Sequence, residues 1–511
     1  MKESTANNKR IAKNTMFLYL RMGISMLVAL FTSRVVLQNL GVEDYGTYGV
    51  IGGVVAMFDF LNASMSGATS RFLTYELGRG EGHELSKTFS MAFFEHAIIA
   101  IIILLICETF GIWLLNNKLV IPPERMVAAN WVFQLSLLSM MVTITQVPYN
   151  ASIISHEKMD IYAYVEMAYV GLKLLAVYLL AVLSFDKLIL YATLMLILSA
   201  GRAMFYRVYC ARHYVECKIR LIWDTSLLKR MLTFSGWDLY GNMSVMARTE
   251  GVTLLLNIFF GPVVNAASSI ATQVQGSVMK FATSVSTAVK PQIIKYYAQG
   301  KMKEMIGLMS NAIRLNFFIL LFPTVPLIVS LPYVLQLWLG VVPEHTVIFC
   351  TLTLIFNFFA NMSGTLVTGI HATGKNIRPS LINGSLYILV IPVSYVAFRL
   401  HADAWWPFLV NVIAVVLGML SNAYTMNLYI QEFSVINFIK RDLIPCVMVF
   451  AACTGACLLL KPLLHDNFWG LIEMVIASSV LLVILGYYFL VPKSISNTIV
   501  NRLKTMVCKK G

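Results

Sequence analysis

The sequence predicts an all-α polytopic membrane protein with about fourteen transmembrane helices, and three observations support this prediction. First, 58% of the 511 residues are hydrophobic and only 13% are charged, whereas soluble domains carry about a quarter charged residues. Second, the apolar residues cluster in blocks of roughly twenty, the length that crosses a bilayer as a helix. Third, the Lys and Arg residues concentrate in alternate connections between these blocks.

Fourteen apolar blocks follow one another along the chain, and the weakest are those at 187–208 and 380–399. They lie at 14–37, 46–66, 88–114, 127–150, 161–184, 187–208, 232–257, 263–289, 310–334, 346–370, 380–399, 404–428, 442–461 and 468–490. The first block follows Lys9, Arg10 and Lys13 and has no small-residue cleavage site. We therefore interpret it as a retained span rather than a signal peptide.

The connections between blocks differ sharply in charge. The N-terminus, every second connection after it and the C-terminus hold 27 Lys and Arg, and the opposite set holds 5. Because positive charge stays on the cytoplasmic side, this asymmetry predicts an even number of spans with both termini in the cytoplasm. The net charge of +14 is then explained by the membrane topology and by contact with anionic lipid, so we expect no nucleic-acid partner.

The segment from Arg207 to Arg230 is basic, contains interleaved aromatics and is typical of a stretch lying along the membrane surface. It separates six blocks from eight. Sliding the chain by 220 positions aligns Gly41 with Gly261 and Gly80 with Gly300. We therefore predict two six-helix lobes in a parallel pseudo-repeat plus two C-terminal helices. The corresponding ranges are 1–210 for the N-terminal lobe, 211–230 for a basic cytoplasmic linker, 231–430 for the C-terminal lobe, and 431–511 for two extra spans and a cytoplasmic tail.

Some charges lie inside the apolar blocks. A charge near the middle of a bilayer costs roughly 3 kcal/mol, so we expect each to face a cavity or a partner. The cations are Arg21, Arg34, Lys173, Arg202, Arg248, Lys280 and Arg314. Fewer acids are expected to face inward, and the candidates for ion coupling or pairing are Asp59, Glu166 and Glu250.

Polar residues at helical spacing mark the faces that should point into the bundle. In the eighth block such a stripe contains Gln273, Ser277, Lys280, Ser284 and Thr287, which share one helix face. A polar face turned to lipid would be unfavourable, so we expect this stripe to line a cavity. The alternative is that its uncharged members form hydrogen bonds between helices.

Inward cations with few inward acids suit an anionic substrate, and guanidinium groups suit phosphate in particular. Alternatives remain for two of the arginines. Arg34 lies near the outer end of the first block, where its side chain would also reach the outer surface. Arg248 would also be explained by an ion pair with Asp59 or Glu250.

Enzyme classes are disfavoured because no connection exceeds about 25 residues, which leaves no room for a catalytic domain outside the membrane. The eight cysteines include no CxxC pair, and no nucleophile–base or metal-ligand cluster is evident. We therefore predict no enzyme activity, no metal and no cofactor.

The stretch Asn14–Gly80 carries a family resemblance. Its core, "SRVVLQNLGVEDYGTYG", is similar to the polysaccharide-transport branch of the multidrug/oligosaccharidyl-lipid/polysaccharide exporter superfamily, whose members often have an arginine, "LG", an acidic pair and "YG" after the first span. The resemblance implies a Wzx-type flippase of the bacterial inner membrane. Such proteins move undecaprenyl-pyrophosphate-linked oligosaccharide outward by alternating access, for O-antigen, capsule or exopolysaccharide synthesis.

The resemblance also implies a central cavity whose cations receive pyrophosphate and acidic sugars. The matching candidates are Arg21, Arg34, Arg248 and Lys280, with Lys173 and Arg314 behind them and Gln273, Ser277 and Ser284 as a polar face. Arg34 would lie at the outer mouth, beside the acidic turn formed by Gly41–Gly46. The implied partners are lipid-linked oligosaccharide, membrane lipids, and the glycan polymerase and glycosyltransferases of the same pathway.

Two relatives of this branch remain as alternatives. One is the lipid II flippase of peptidoglycan synthesis, which also has fourteen spans and cationic cavity residues. The other is a cation-coupled multidrug exporter, for which Asp59 would be the coupling acid. Inward cations disfavour the second alternative, because they would repel cationic drugs.

Overall fold

The computed structural model describes residues 59–80, 82–117, 121, 123–183, 185–220, 224–340, 342–465 and 467–490, together with single positions at 16, 17, 20, 23, 36, 40, 44, 48 and 51. Within these residues every regular element is helical. The chain is a multi-pass membrane protein, because ten of the described helices are long and apolar enough to span a bilayer.

The long helices follow one another with short connections. In chain order they are α1 (Asp59–Arg79), α2 (Gly82–Ile106), α3 (Met126–Ser155), α4 (Met159–Val182), α5 (Lys187–His213), α6 (Thr225–Ala298), α7 (Met302–Leu339), α8 (Thr346–Ala372), α9 (Ile377–Arg399), α10 (Trp406–Tyr429), α11 (Ile444–Leu460) and α12 (Phe468–Phe489). A π-helical turn, Cys107–Gly111, continues α2 into Ile112–Asn117. A second one, Ile439–Leu443, joins Val435–Phe438 to α11.

The predicted seventh and eighth spans lie in one helical run, α6, of 74 residues. The run is interrupted at Gly261, whose φ of 80° is incompatible with a continuous helix. This break falls between the two predicted blocks, 232–257 and 263–289. The first predicted span lies almost entirely outside the described residues.

Several helices extend beyond their apolar blocks into the basic connections. α1 continues to Arg79 and α3 to Ser155, because a polar sequence can remain helical after it leaves the bilayer. The offset of 220 positions aligns Gly80 with Gly300. Gly80 directly follows α1 and has a φ of 78°, and Gly300 lies just after the end of α6 and has a φ of 72°. The same left-handed turn therefore occurs at both positions.

The described chain divides into two compact units, Met1–Leu239 and Tyr240–Gly511. In the N-terminal unit, α3 packs against α1, α2 and α5, and α4 packs against α5. An apolar core surrounds Ile103, Phe133 and Leu137, all of which are fully buried.

A charged cluster joins three of the connections in the N-terminal unit that are predicted to face outside. Arg125 donates from Nε to Asp44 Oδ1 over 2.7 Å and from Nη1 to Asp186 Oδ2 over 2.7 Å. Asp186 also caps α5 by accepting from the backbone N–H groups of Leu188 and Ile189. Burial disfavours the charged form of Asp186, but the hydrogen bonds from Arg125 and the backbone outweigh this effect and lower its pKa.

In the C-terminal unit, α8 packs against α7 and α10, α9 packs against α10, and both α11 and α12 pack against α7. The apolar core includes Leu331, Phe349 and Phe408. The rings of Phe349 and Phe408 stack with centroids 4.2 Å apart. This core supports the site described next, since Phe408 also lines the neighbouring cavity.

Candidate substrate site in the C-terminal unit

Arg248 lies on α6 with its guanidinium group between two aromatic rings. Its Cζ atom is 5.0 Å from the ring centroid of Phe356 on α8 and 4.6 Å from that of Tyr387 on α9. These are cation–π distances, which stabilise the cation without neutralising its charge. No residue that the structure describes forms an ion pair with Arg248.

Close packing of α6 against α9 positions these groups. A Cβ atom on Gly251 would lie 2.7 Å from Cδ1 of Ile391, and one on Gly384 would lie 2.5 Å from Cε1 of Tyr240. Both distances are shorter than a normal carbon–carbon contact, so a side chain at either position would require its neighbour to move. The approach brings Tyr387, one turn after Gly384, beside Arg248.

A cavity of about 90 Å³ opens beside Arg248 within the C-terminal unit. A water molecule needs roughly 10–15 Å³ on this measure, so the cavity has room for several waters or for a group of phosphate size. Eight of its twelve described lining residues are polar, and none of them is a carboxylate. The polar lining residues are Arg248, Thr249, Thr253, Ser268, Thr272, Gln275, Thr353 and Asn411.

Two polar atoms of this lining are buried and have no hydrogen-bond partner among the described residues: Arg248 Nη1, a donor, and Asn411 Oδ1, an acceptor. Such atoms are rare in folded proteins and are expected to meet water or a ligand. The hydroxyls of Thr249, Thr253 and Thr353 each donate to a carbonyl of their own helix. Their lone pairs therefore remain available to accept from a ligand.

The N-terminal unit offers a contrasting arginine. Arg202 Cζ lies 4.3 Å from the ring centroid of Tyr169, and its Nη1 lies 3.4 Å from Glu166 Oε2. The Tyr206 hydroxyl donates to the same carboxylate over 3.3 Å. Two inward arginines are thus stacked on aromatic rings, but only Arg202 is paired with a described acid.

The polar stripe predicted on the eighth span lies on α6 but does not line the Arg248 cavity. Gln273 and Lys280 are exposed, Ser277 is half-buried and Ser284 is buried. The hydroxyls of Ser277 and Ser284 donate to the backbone of their own helix, at Gln273 and Lys280 respectively. Lys280 forms no ion pair within the described part of the chain.

The remaining candidates lie apart from the Arg248 cavity. Arg314 donates from Nε to Asp442 Oδ1 over 2.8 Å, so a neighbouring acid compensates its charge. Lys173 is half-buried in the N-terminal unit and has no ion-pair partner among the described residues. Glu166 is paired with Arg202, and Glu250 is exposed on α6.

Three candidates fall outside what the structure describes: Arg21, Arg34 and the side chain of Asp59. The acidic turn that was expected beside Arg34 nevertheless contributes Asp44, and the carboxylate of Asp44 is bound by Arg125. Asp44 therefore has a partner, Arg125, from the second connection predicted to face outside, a contact that the sequence did not suggest.

The sequence analysis also missed most of the residues around Arg248. Phe356, Tyr387, Thr353 and Asn411 stand among ordinary apolar and small residues of α8, α9 and α10. Nothing in their spacing distinguishes them from core positions. Only Asn411, an amide among the apolar residues of the first half of α10, carried a usable signal.

Comparisons with known proteins bear on the fold. No protein-family model and no curated protein sequence matches the chain. A solved multidrug resistance MATE family transporter of the MOP superfamily, in an outward-facing conformation, is 15% identical and superimposes with a TM-score of 0.70. The match covers 83% of this chain and 97% of that transporter. The chain has the fold of the MATE transporters.

Two further solved structures share this fold. A MATE structure in a bent conformation is 15% identical, with a TM-score of 0.71 over 83% of this chain and 96% of that one. A MOP superfamily transporter from Pyrococcus furiosus is 15% identical, with a TM-score of 0.69 over 82% and 96%. Its published description is that the reverse polarity of its binding pocket suggests a different function. The likeness to all three structures is one of fold.

Proposed function

We propose that this protein is a flippase that moves an anionic lipid-linked oligosaccharide across the membrane by alternating access. The observation that carries the proposal is Arg248, a stacked guanidinium with a buried, unpartnered Nη1 in a polar cavity that has no described carboxylate. A desolvated cation without an acid is costly to the fold. The presence of Arg248 at this position is explained if a substrate anion forms the missing ion pair.

The rest of the cavity favours a carbohydrate next to that anion. Arg248 supplies donors for a phosphate or carboxylate oxygen. Asn411 Oδ1 and the hydroxyl oxygens of Thr249, Thr253 and Thr353 supply acceptors for the hydroxyls of a sugar. This combination supports a substrate with both anionic and hydroxyl groups, such as a pyrophosphate-linked or acidic glycan.

The resemblance of the first hairpin to the polysaccharide-transport branch supports the same substrate class. We propose a bacterial inner-membrane location with both termini in the cytoplasm, from the charge asymmetry of the connections. The proposed partners are undecaprenyl-pyrophosphate oligosaccharide and the glycan polymerase and glycosyltransferases of its pathway. The lipid II flippase function differs from this proposal only in the glycan that is carried.

The MATE fold favours a second candidate, a cation-coupled multidrug exporter, because one of the structural neighbours is described as a multidrug resistance transporter. The Arg248 cavity argues against cationic drugs as its ligands, since it presents a positive charge and no described acid. The transporter from Pyrococcus furiosus, for which reverse polarity of the binding pocket is said to suggest a different function, supports the idea that function on this fold varies with pocket polarity.

The test uses cells that lack this protein, complemented with the wild type or with Arg248→Gln. Inside-out vesicles expose the cytoplasmic face of the membrane, and periodate, an impermeant oxidant of vicinal diols, reports how much lipid-linked oligosaccharide remains there. We expect Arg248→Gln to clear the cytoplasmic pool at least about tenfold more slowly, because a charge-assisted contact worth roughly 1.5 kcal/mol is lost.

Arg399→Gln is the matched control. Arg399 is an exposed arginine of the same unit that hydrogen-bonds to the Tyr395 hydroxyl and lies outside the cavity, so its loss should leave clearance unchanged. Normal clearance in cells lacking the protein, together with new sensitivity to organic cations, would refute the flippase proposal in favour of drug export.

A further inference from the structure

A second cavity lies elsewhere in the C-terminal unit and shares no lining residue with the Arg248 cavity. It has a volume of about 290 Å³. Its walls come from the first turns of α7, from Leu366 near the end of α8, and from the segment 432–442 that leads into α11. The basic connections 290–312 and 428–442 meet at this end of the unit, and their charge predicts that it faces the cytoplasm.

A buried acid orients one of the cavity's cations. Asp442 lies in the π-helical turn before α11, is 6% exposed, and accepts from Arg314 Nε over 2.8 Å and from Ser310 Oγ over 2.6 Å. Arg314 uses only its Nε–H to bind Asp442. The N–H groups on its two Nη atoms therefore remain available to a ligand, and no described residue accepts from them. A π-turn at such a position is a frequent mark of a functional site.

Two further cations line the same cavity without partners. Lys303 and Arg441 are exposed, and neither forms an ion pair with any residue that the structure describes. Among the described lining residues, the acids are Asp442 and Glu432. Three cations and two acids leave one net positive charge, which a ligand with a single negative charge would neutralise.

The remaining wall is apolar and aromatic. Its apolar lining residues include Ile306, Ile313, Leu366, Phe433 and Phe438. A cavity that combines a net positive charge with an apolar wall, at a membrane surface, matches an amphiphile better than a free ion. A phosphodiester carries one negative charge, whereas a phosphomonoester carries close to two at neutral pH.

We propose that this cavity binds the phosphodiester headgroup of an anionic membrane lipid at the cytoplasmic surface. The Nη groups of Arg314 donate to the phosphodiester oxygens, Lys303 and Arg441 supply the surrounding positive charge, and the apolar wall accommodates the start of an acyl chain. The site is separate from the Arg248 cavity and does not depend on which substrate the protein transports.

The experiment measures the apparent melting temperature of the full-length protein in a neutral detergent. The probes are dioctanoyl phosphatidylglycerol, the zwitterionic dioctanoyl phosphatidylcholine, and soluble glycerophosphoglycerol, which has the same phosphodiester without acyl chains. We expect the phosphatidylglycerol alone to raise the melting temperature saturably, because a ligand that binds the folded state stabilises it.

The variants Lys303→Gln and Arg441→Gln alter exposed side chains, so both should fold. Each is expected to raise the half-saturating concentration of phosphatidylglycerol roughly fivefold or more, as the loss of one charged contact implies. Lys375→Gln is the matched control, since Lys375 is an exposed cation of another basic connection in the same unit and is stacked on Tyr429 outside this cavity. Its half-saturating concentration should equal that of the wild type.

Three outcomes would overturn the proposal. An equal effect of all three substitutions would indicate general surface charge rather than a site. An equal melting-temperature shift with phosphatidylcholine would exclude selectivity for an anion. An equal shift with glycerophosphoglycerol would assign the cavity to a soluble phosphodiester instead of a lipid.

Discussion

Replacing Arg248 by methionine should leave the stability of the protein unchanged or raise it, whereas replacing Arg202 by methionine should lower it. Both guanidinium groups are stacked on aromatic rings, but Arg202 is 3.4 Å from Glu166 whereas Arg248 has no described carboxylate partner. A buried cation without an acid opposes folding, and an unpaired buried acid does the same. Arg248→Met removes an uncompensated charge, and Arg202→Met creates one at Glu166.

The magnitudes follow from these contacts. Arg248→Met loses two cation–π contacts, each worth about 0.5–2 kcal/mol, and recovers a desolvation penalty of several kcal/mol. We expect its stability to equal or exceed that of the wild type. Breaking a buried ion pair costs roughly 3–5 kcal/mol, but the side chains of Arg202 and Glu166 are 16% and 18% exposed. Solvent screening reduces the expected loss for Arg202→Met to about 2 kcal/mol.

The assay is thermal unfolding of the purified variants in one neutral detergent at neutral pH. Arg202→Met should melt several degrees below the wild type, and adding Glu166→Gln should restore part of the loss, because the unpaired acid is then removed. Arg399→Met controls for the loss of an exposed arginine. If Arg248→Met melted as early as Arg202→Met, Arg248 would have a structural carboxylate partner, and the argument for a substrate anion would fail.

Three further predictions concern positions outside the cavities or at their supports. Arg125→Gln should lower the apparent melting temperature by a few degrees, equivalent to about 1–2 kcal/mol, because two carboxylates lose their shared cation; an unchanged melting temperature would show that the cluster is not stabilising. The pKa of Asp186 is lowered in the folded protein from its ordinary value of 3.8, so its stabilisation is complete above about pH 4 and is lost as the pH falls below that value. The difference in melting temperature between wild type and Arg125→Gln should therefore shrink in scans from pH 7 to pH 3, and a difference independent of pH would contradict this assignment. Gly384→Val should cost roughly 1–3 kcal/mol and slow oligosaccharide clearance, because the new side chain collides with the ring of Tyr240, whereas Gly364→Ala, which meets no atom within 4 Å, should do neither.

Much of the architecture could be predicted from composition and spacing. Apolar blocks of twenty residues have few alternatives to a membrane helix, because a single continuous segment can satisfy its backbone hydrogen bonds within itself in a bilayer only as a helix. The same reasoning located the break between the seventh and eighth spans, where Gly261 interrupts α6. The helix ends were predicted less accurately. The predicted block ended at residue 66, but α1 continues to Arg79, because polar residues beyond the bilayer can remain helical.

The sequence by itself determined that the chain is an all-helical membrane protein and that unusual cations, Arg248 among them, lie within its spans. Only the tertiary structure decided which of these cations are compensated. Arg202 and Arg314 have acids from other helices or turns beside them, whereas Arg248 has two aromatic rings and a polar cavity. The physical reason is that a charge's cost inside a membrane protein depends on neighbours that are 36 to 139 positions away in the chain, and helical periodicity carries no information about contacts between helices so far apart.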